Sequence, residues 1–223
     1  MSEKSAKSIE TKKHTKALYT LGEELVNAIS HGLGALLAVA GTIILIVASV
    51  GDVWKVVSCA IYGASMILLF TMSCLYHAIS HVKAKKVMRV FDHTTIFILI
   101  AGTYTPFTLV TLRGWIGWTL FGVVWGAAII GITFTAINME RFKVFSMVCY
   151  IASGWCVVLA AVPMIRTMAL PGLLLLLAGG VVYTLGLIFY AKKIRYCHGI
   201  WHFFVLGGAI LHYFCILFYV VGV

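Results

Sequence analysis

The sequence predicts an all-α integral membrane protein, a single domain built as a bundle of seven transmembrane helices. Two observations predict this fold: 62% of the 223 residues are hydrophobic and only 11% are charged, and the apolar residues fall into seven long runs. Soluble domains are about half apolar and about a quarter charged. This chain has too little polar material to cover a water-facing surface, so disordered, fibrous and nucleic-acid-binding classes are excluded despite a net charge of +10.

Each apolar run is long enough to cross a bilayer, which takes about 20 residues of helix. Helices satisfy their own backbone hydrogen bonds in lipid, so a helical bundle follows. The predicted spans are 26–49, 55–77, 93–112, 115–137, 143–164, 170–191 and 198–222. Connections are short, and the longest is predicted at 78–92. Residues 1–22 form a polar basic tail without the features of a cleaved signal peptide, and residues 23–223 form the membrane domain.

Lysine and arginine residues are unevenly divided between the two ends of the predicted helices. The tail and the loops after spans two, four and six carry fourteen of the seventeen, whereas Lys55, Arg113 and Arg166 lie at the other end. Positive charge marks cytoplasmic loops. We therefore expect a multi-pass protein of the bacterial plasma or inner membrane, with a cytoplasmic N-terminus and an extracytoplasmic C-terminus.

Cysteine and glycine spacing adds two expectations. None of the six cysteines belongs to a Cys-x-x-Cys pair, so neither a disulfide framework nor a thiolate zinc site is indicated. Gly122 and Gly126 lie one turn apart in span four, a spacing that lets two helices approach closely.

Histidines gather at the predicted cytoplasmic ends of spans one, two, three and seven, and Asp92 lies at the same level. Ionisable side chains are costly to bury in a membrane, so each is a candidate for function. His198 and His202 are four residues apart, which places both on one helix face, where they can bind one metal ion. His77 is the best candidate for a third ligand, and Ser73 lies one turn deeper on the same face.

Other histidines and cysteines fit a metal site less well. His81 lies beside the basic loop, where a solvated or headgroup-facing side chain is expected. His93 points about 100° away from its neighbour Asp92, and His212 lies about 15 Å along the helix from His202. His212 is interpreted as a hydrogen-bonded packing residue. Cys74 and Cys197 are close enough in sequence to be ligands, but packing is favoured for both.

Span one carries a polar stripe in which Glu23, Asn27 and His31 recur every four residues, with Glu24 as a rival for the first position. The glutamates can simply be a solvated first turn that favours the helix dipole. Asn27 and His31 can form interhelical hydrogen bonds, or they can support the metal ligands from behind. Both interpretations stay open at this point.

Three spaced groups now lie together at one end of the predicted bundle. They are Glu23-x3-Asn27-x3-His31, Ser73-x3-His77 with Asp92 downstream, and His198-x3-His202. Their order, their spacing and the seven spans resemble the PAQR family, and the short chain is similar to the bacterial hemolysin III branch. The stretch Ala101-Gly102-Thr103-Tyr104-Thr105-Pro106 also resembles family sequence. The resemblance covers the chain from about Glu23 to its end.

The resemblance implies a zinc ion held by His77, His198 and His202, with Asp92 and Ser73 beside the water that the zinc binds. Some eukaryotic relatives hydrolyse ceramide, and bacterial members are named hemolysins and are tied to membrane lipid homeostasis. The resemblance therefore implies an enzyme or a regulator that acts on membrane lipids, with a lipid of the inner leaflet as the candidate substrate.

The chemistry of such a site favours a zinc-dependent hydrolase of lipid amides or esters. Three protein ligands leave a position open, as in catalytic zinc sites, and zinc lowers the pKa of bound water to about 7. Asp92 is expected to orient that water and carry its proton, and Ser73 to hold the water or the developing oxyanion. Two alternatives are a non-catalytic membrane sensor or receptor with structural zinc, and a pore-forming cytolytic protein. No carboxylate lies in the interior of a span, which disfavours an ion path.

Overall fold

The computed structural model describes residues 19–192 and 194–223, and within those ranges all regular structure is helical. Seven helices are long and apolar enough to cross a membrane, so the predicted all-α, seven-helix fold is confirmed. They are α1 (Leu21–Ala48), α2 (Val53–Ala78), α3 (Val82–Thr111), α4 (Trp115–Asn138), α5 (Lys143–Thr167), α6 (Leu170–Ala191) and α7 (Cys197–Val221). Most of the predicted tail, residues 1–18, lies outside the described residues.

The start of α3 differs most from prediction. Residues 78–92 were expected to be a connection, but α3 begins at Val82, and only residues 79–81 join it to α2. The backbone N–H of Ala84 donates to the His81 ring, which caps the helix. Lysine and arginine are good helix formers, so the basic stretch continues the helix beyond the apolar run. Hydropathy marks where a helix meets lipid and not where it begins.

Three helices contain irregular turns, and the one in α7 is a π-helical turn at its end, Leu217–Val221. In α3, the α-helical part ends at Pro106 and a π-helical turn covers Phe107–Thr111. In α5, a 3-10 turn at Cys156–Ala160 separates two α-helical parts. The hydroxyl group of Tyr104 donates to the carbonyl oxygen of Gly154 and accepts from the N–H of Val157, both at 2.8 Å. Tyr104 therefore satisfies backbone groups that the break in α5 leaves without helical partners.

Helix α3 lies at the centre of the bundle. In its most apolar stretch 72% of the residues are buried, against 17% in α5 and in α6. Helix α1 packs along α2, α2 along α3, and α6 along α7, while α7 also contacts α1. Helices α1, α2 and α7 therefore meet on one side of the bundle, and the ends that carry the histidines lie together there.

Gly122 and Gly126 do not serve the close packing that their spacing suggested. A Cβ atom built on either residue would meet nothing within 4 Å among the described residues. Gly117, on the same helix, is the residue that needs to be small. A Cβ atom there would overlap the carbonyl oxygen of Thr108, in the π-helical turn of α3.

Changing Gly117 to alanine is expected to destabilise the protein, because the obstacle is backbone and cannot rotate away. Overpacking of this kind costs about 1–3 kcal/mol, which lowers the unfolding temperature of a chain of this size by several degrees. The matched control is Gly122→Ala, which is expected to be neutral or slightly stabilising because alanine favours helix over glycine. Thermal unfolding in one detergent compares the two variants, and equal temperatures would contradict the prediction.

Candidate metal centre

Three imidazole rings converge where α2 ends and α7 begins. His77, His198 and His202 each offer a ligand atom, and these atoms all lie within 4.8 Å of one another. The Nε2 atoms of His198 and His202 are 3.2 Å apart. The centroid of the His77 ring lies 5.2 Å from that of His198 and 5.0 Å from that of His202. This group, the histidine cluster, can hold one metal ion.

Local structure explains the convergence. His198 and His202 lie one turn apart at the start of α7, so both rings face α1 and α2. Gly199 lies between them, and a Cβ atom on it would be 3.0 Å from Oδ1 of Asn27 in α1. The missing side chain lets the start of α7 approach α1 closely enough for the rings to meet His77.

Helix α1 orients two of the three rings. Nδ1 of His77 lies 2.6 Å from Oε2 of Glu24, and Lys85 Nζ holds the other carboxylate oxygen at 2.8 Å. Nδ1 of His202 lies 3.2 Å from the carbonyl oxygen of Asn27. Because these oxygens accept, both Nδ1 atoms donate, which leaves Nε2 unprotonated in the neutral ring. Metal-binding histidines show this arrangement.

The fit of a metal ion rests on the polar atoms that the protein leaves without partners. Nε2 of His77 is fully buried and has no hydrogen-bond partner among the described residues. Burying such an atom unpaired is costly, and a metal ion bound by the three Nε2 atoms would satisfy it. The nitrogen donor set suits zinc, and it also suits copper, iron and nickel.

The carboxylate of Glu23 is engaged at the N-terminal cap of α1. Helix α1 begins after Thr20, so Glu23 is the third helical residue, and its carboxylate accepts from the N–H and hydroxyl of Thr20 in a capping box. Its other oxygen accepts from the N–H of Tyr196, just before α7. Glu24, the rival considered from the sequence, is the residue in contact with His77.

Replacing Glu24 by glutamine is expected to weaken metal binding by about 10- to 100-fold, as for other partners of metal-binding histidines. The neutral amide cannot raise the basicity of the His77 imidazole as a carboxylate does. Glu23→Gln is the matched control, because glutamine is tolerated at this position of a capping box and Glu23 does not touch a ligand ring. Competition with a zinc-chelating dye measures both affinities, and equal values for the two variants would contradict the prediction.

The structure places Asn27 and His31 directly behind the cluster. Asn27 is fully buried, and its side-chain Oδ1 has no hydrogen-bond partner among the residues described. His31 stacks on His202 with ring centroids 3.6 Å apart, and neither of its ring nitrogens has a partner in the described chain. His31 therefore packs against a candidate ligand and does not hydrogen-bond to it.

Ser73 and Asp92, the expected catalytic residues, are both buried and both lie outside the ligand group. The hydroxyl of Ser73 has no hydrogen-bond partner within the described ranges. An oxygen of Asp92 lies 3.6 Å from Nδ1 of His93. Asp92 and His31 line one cavity, so the carboxylate faces the same space as the ring that stacks on His202.

That cavity has a volume of about 120 Å³, and its walls come from α1, α2, α3, α5, α6 and α7. Holding one water takes roughly 10–15 Å³, so it exceeds a single water site. Leu69, Ile96, Ile100, Leu187 and Val205 form much of its wall. Asp92 and His31 line the space together with His212, which lies ten residues beyond His202 on α7. We call this space the central cavity.

Within the described ranges, His81, His93, His212 and the nearby cysteines stay apart from the cluster. His81 caps α3, and His93 contacts the carbonyl oxygen of Arg89 at 2.9 Å. His212 contacts the carbonyl oxygen of Leu176 at 3.0 Å, in agreement with a hydrogen-bonded packing role. Cys74 and Cys197 do not belong to the ligand group.

Tyr19 covers the cluster and was not predicted from the sequence. Its ring stacks on His198 with centroids 4.9 Å apart and meets His77 edge-on at 5.6 Å. Burial raises the pKa of the Tyr19 phenol well above its usual value, so the ring stays neutral. The residues that flank Tyr19 in the sequence give no sign of this position. The place of its ring depends on where α1 begins.

Comparison with known proteins gives strong matches along the chain. The family model described as Haemolysin-III related matches residues 19–213. Hemolysin-3 of Bacillus cereus is 46% identical over 213 residues, covering 94% of this chain and 97% of the relative. The Hemolysin-3 homolog of Bacillus subtilis (strain 168) is 44% identical over 209 residues, covering 92% and 98%. The human Monocyte to macrophage differentiation factor is 28% identical over 204 residues, covering 88% and 84%.

Proposed function

From the premise that the chain belongs to the haemolysin-III related family of multi-pass membrane proteins, we propose that it is a zinc-dependent hydrolase of lipid amide or ester bonds. In this role it acts in the lipid homeostasis of the cell membrane. One observation carries the proposal: the rings of the histidine cluster are oriented by α1, and His31, which stacks on His202, lines an apolar cavity that also contains the buried carboxylate of Asp92.

His77, His198 and His202 would hold the zinc ion through Nε2, leaving a coordination position open. When bound, zinc acts as a Lewis acid and makes water a nucleophile at neutral pH. Glu24 and the Asn27 carbonyl keep two of the imidazoles in the required tautomer. The buried position of the cluster under Tyr19 limits access of bulk water.

Asp92 and Ser73 supply the remaining chemistry in this proposal. The Asp92 carboxylate takes the proton of the attacking water and passes it to the leaving nitrogen or oxygen. The hydroxyl of Ser73, which lacks another partner within the described residues, donates to the oxygen of the scissile carbonyl group as negative charge develops there. Both side chains are buried, which strengthens these interactions.

The central cavity supports a lipid as the substrate. Its walls are mostly aliphatic and aromatic, and it leads from Asp92 into the membrane interior. An acyl chain placed there gains about 0.8 kcal/mol for each buried methylene group relative to water. The cluster lies at the ends of the helices, where the predicted orientation puts it at the headgroups of the inner leaflet.

A structural-zinc regulator is the second candidate, and one observation favours it. The cluster and its partners connect α1, α2 and α7, so an ion there would also clamp these helices together. A pore, suggested by the name Hemolysin-3 of the Bacillus cereus relative, ranks third. No carboxylate lies within the predicted apolar spans, and Asp92 directly precedes the third of them, whereas ion paths use charged groups within the membrane.

The test of the proposal is hydrolysis of fluorogenic lipid amides and esters by the purified protein in vesicles. Treatment with a chelator is expected to remove the activity, and added zinc is expected to restore it. Vesicles that contain the protein changed at both His198 and His202 to alanine are the control for adventitious hydrolysis. A zinc-loaded, folded protein without turnover on either lipid class would favour the structural-zinc regulator.

A further inference from the structure

The deep end of the central cavity carries two polar side chains whose polar atoms lack partners. Nδ1 of His212 and the hydroxyl of Tyr183 are both buried without a hydrogen-bond partner among the described residues. Both residues line the cavity, and their ring centroids are 5.5 Å apart. On α7, His212 lies ten residues beyond His202, so this pair is well separated from the histidine cluster.

Other polar side chains in this half of the cavity are already satisfied. The hydroxyl groups of Thr103 and Thr184 donate to backbone carbonyls of their own helices. The indole of Trp155 donates to Thr184, and Tyr104 binds the broken backbone of α5. His212 and Tyr183 are thus exceptions, and leaving a buried polar atom unpaired destabilises the folded protein.

Both rings are fixed in place by glycines on the facing helix. A Cβ atom on Gly179 of α6 would overlap the ring of His212, and one on Gly208 of α7 would lie 2.8 Å from the ring of Tyr183. The two side chains therefore fit into reciprocal gaps between α6 and α7. They cannot turn away easily to find other partners.

The two free atoms have complementary chemistry. Nε2 of His212 lies 3.0 Å from the carbonyl oxygen of Leu176, so Nε2 carries the proton and donates. In the neutral imidazole, Nδ1 is then an acceptor, and the Tyr183 hydroxyl can donate or accept. One acceptor beside one donor matches an alcohol, which can donate to His212 and accept from Tyr183 at the same time.

We propose that His212 and Tyr183 form a recognition site for a hydroxyl group on the acyl chain of the bound lipid. The inference rests on the proposed function, because it takes the acyl chain to occupy the central cavity. His212 lies ten residues beyond His202 on α7, which is about 15 Å along a helix. The site therefore selects chains hydroxylated near the middle over unsubstituted chains of equal length.

Competition binding to the purified full chain tests this site without turnover. A fluorescent fatty acid is the probe, and it is displaced by stearic acid or by hydroxystearic acid with its hydroxyl group near mid-chain. The hydroxylated acid is expected to displace the probe at about tenfold lower concentration, from two added hydrogen bonds. Tyr183→Phe is expected to reduce this preference strongly. Tyr213→Phe is the matched control and should keep it, because Tyr213 donates to the carbonyl oxygen of Gly41.

Each result separates the inference from the proposed function. Equal displacement by the two acids, or an undiminished preference in Tyr183→Phe, would overturn the hydroxyl site and leave the hydrolase proposal standing. Failure of both acids to displace the probe would contradict an acyl chain in the cavity and so overturn both. A preference for the hydroxylated acid in a protein without hydrolase activity would support the site and count against the hydrolase.

Discussion

Metal content is expected to fall from about one ion per chain to almost none when His198 and His202 are both changed to alanine. The change removes two of the three converging ligands, and a single imidazole cannot hold zinc against water and buffer. The helices should persist, because both side chains lie in the first two turns of α7 and the rest of α7 still packs along α6. Elemental analysis of the detergent-purified protein, with circular dichroism beside it, measures both properties.

The matched control is a double variant of two histidines at the same end of the bundle, His81→Ala with His93→Ala. These rings contact backbone atoms of α3 and stay outside the cluster, so this variant should retain its metal. A native protein that is well folded and free of metal would remove both the zinc centre and the hydrolase mechanism. The cluster would then be a set of interhelical hydrogen-bonding groups.

Turnover is expected to fall at least about 100-fold when Asp92 is changed to alanine, the usual cost of losing a general acid or base. Metal content should stay unchanged, because Asp92 does not belong to the ligand group. Loss of turnover without loss of metal would distinguish a role in proton transfer from a role in metal binding. Rates on a lipid amide or ester substrate and elemental analysis of the same preparation measure them together.

Glu140→Ala is the control for a general effect of removing an acidic residue from the end of the bundle that carries Asp92. Glu140 pairs with Arg89 at 2.7 Å and is exposed, so its loss should leave turnover close to the native rate. Asp92→Asn tests whether charge or volume matters, since asparagine keeps the shape but cannot take a proton. Native turnover in either Asp92 variant would eliminate this residue as the proton carrier.

The number of helices and the histidine cluster could both be predicted from the sequence. Lipid excludes unpaired backbone, so each long apolar run had to be a helix, and α6 begins and ends where expected, at Leu170 and Ala191. His198 and His202 were predictable because four residues is about one helical turn. The third ligand position, His77, followed from its depth in span two.

Other features depend on where a helix begins or ends and on how it is rotated about its axis. Hydropathy determines neither. Glu24, and not Glu23, reaches His77 because Thr20 caps α1 and engages Glu23 in the cap. One residue of difference rotates a side chain by about 100°. Gly122 and Gly126 face outwards for the same reason: spacing along α4 is visible in the sequence, but the direction of that face is not.

The cluster takes one ligand from α2 and two from α7, which are separated by most of the chain. A polypeptide emerging from the ribosome presents His77 to the membrane well before α7 has been translated, since synthesis proceeds from the N-terminus. A nascent chain holding only α1 to α6 offers one of the three ligands. Acquisition of the metal would therefore be among the last events of biogenesis, and only chains with all seven helices would contain the ion.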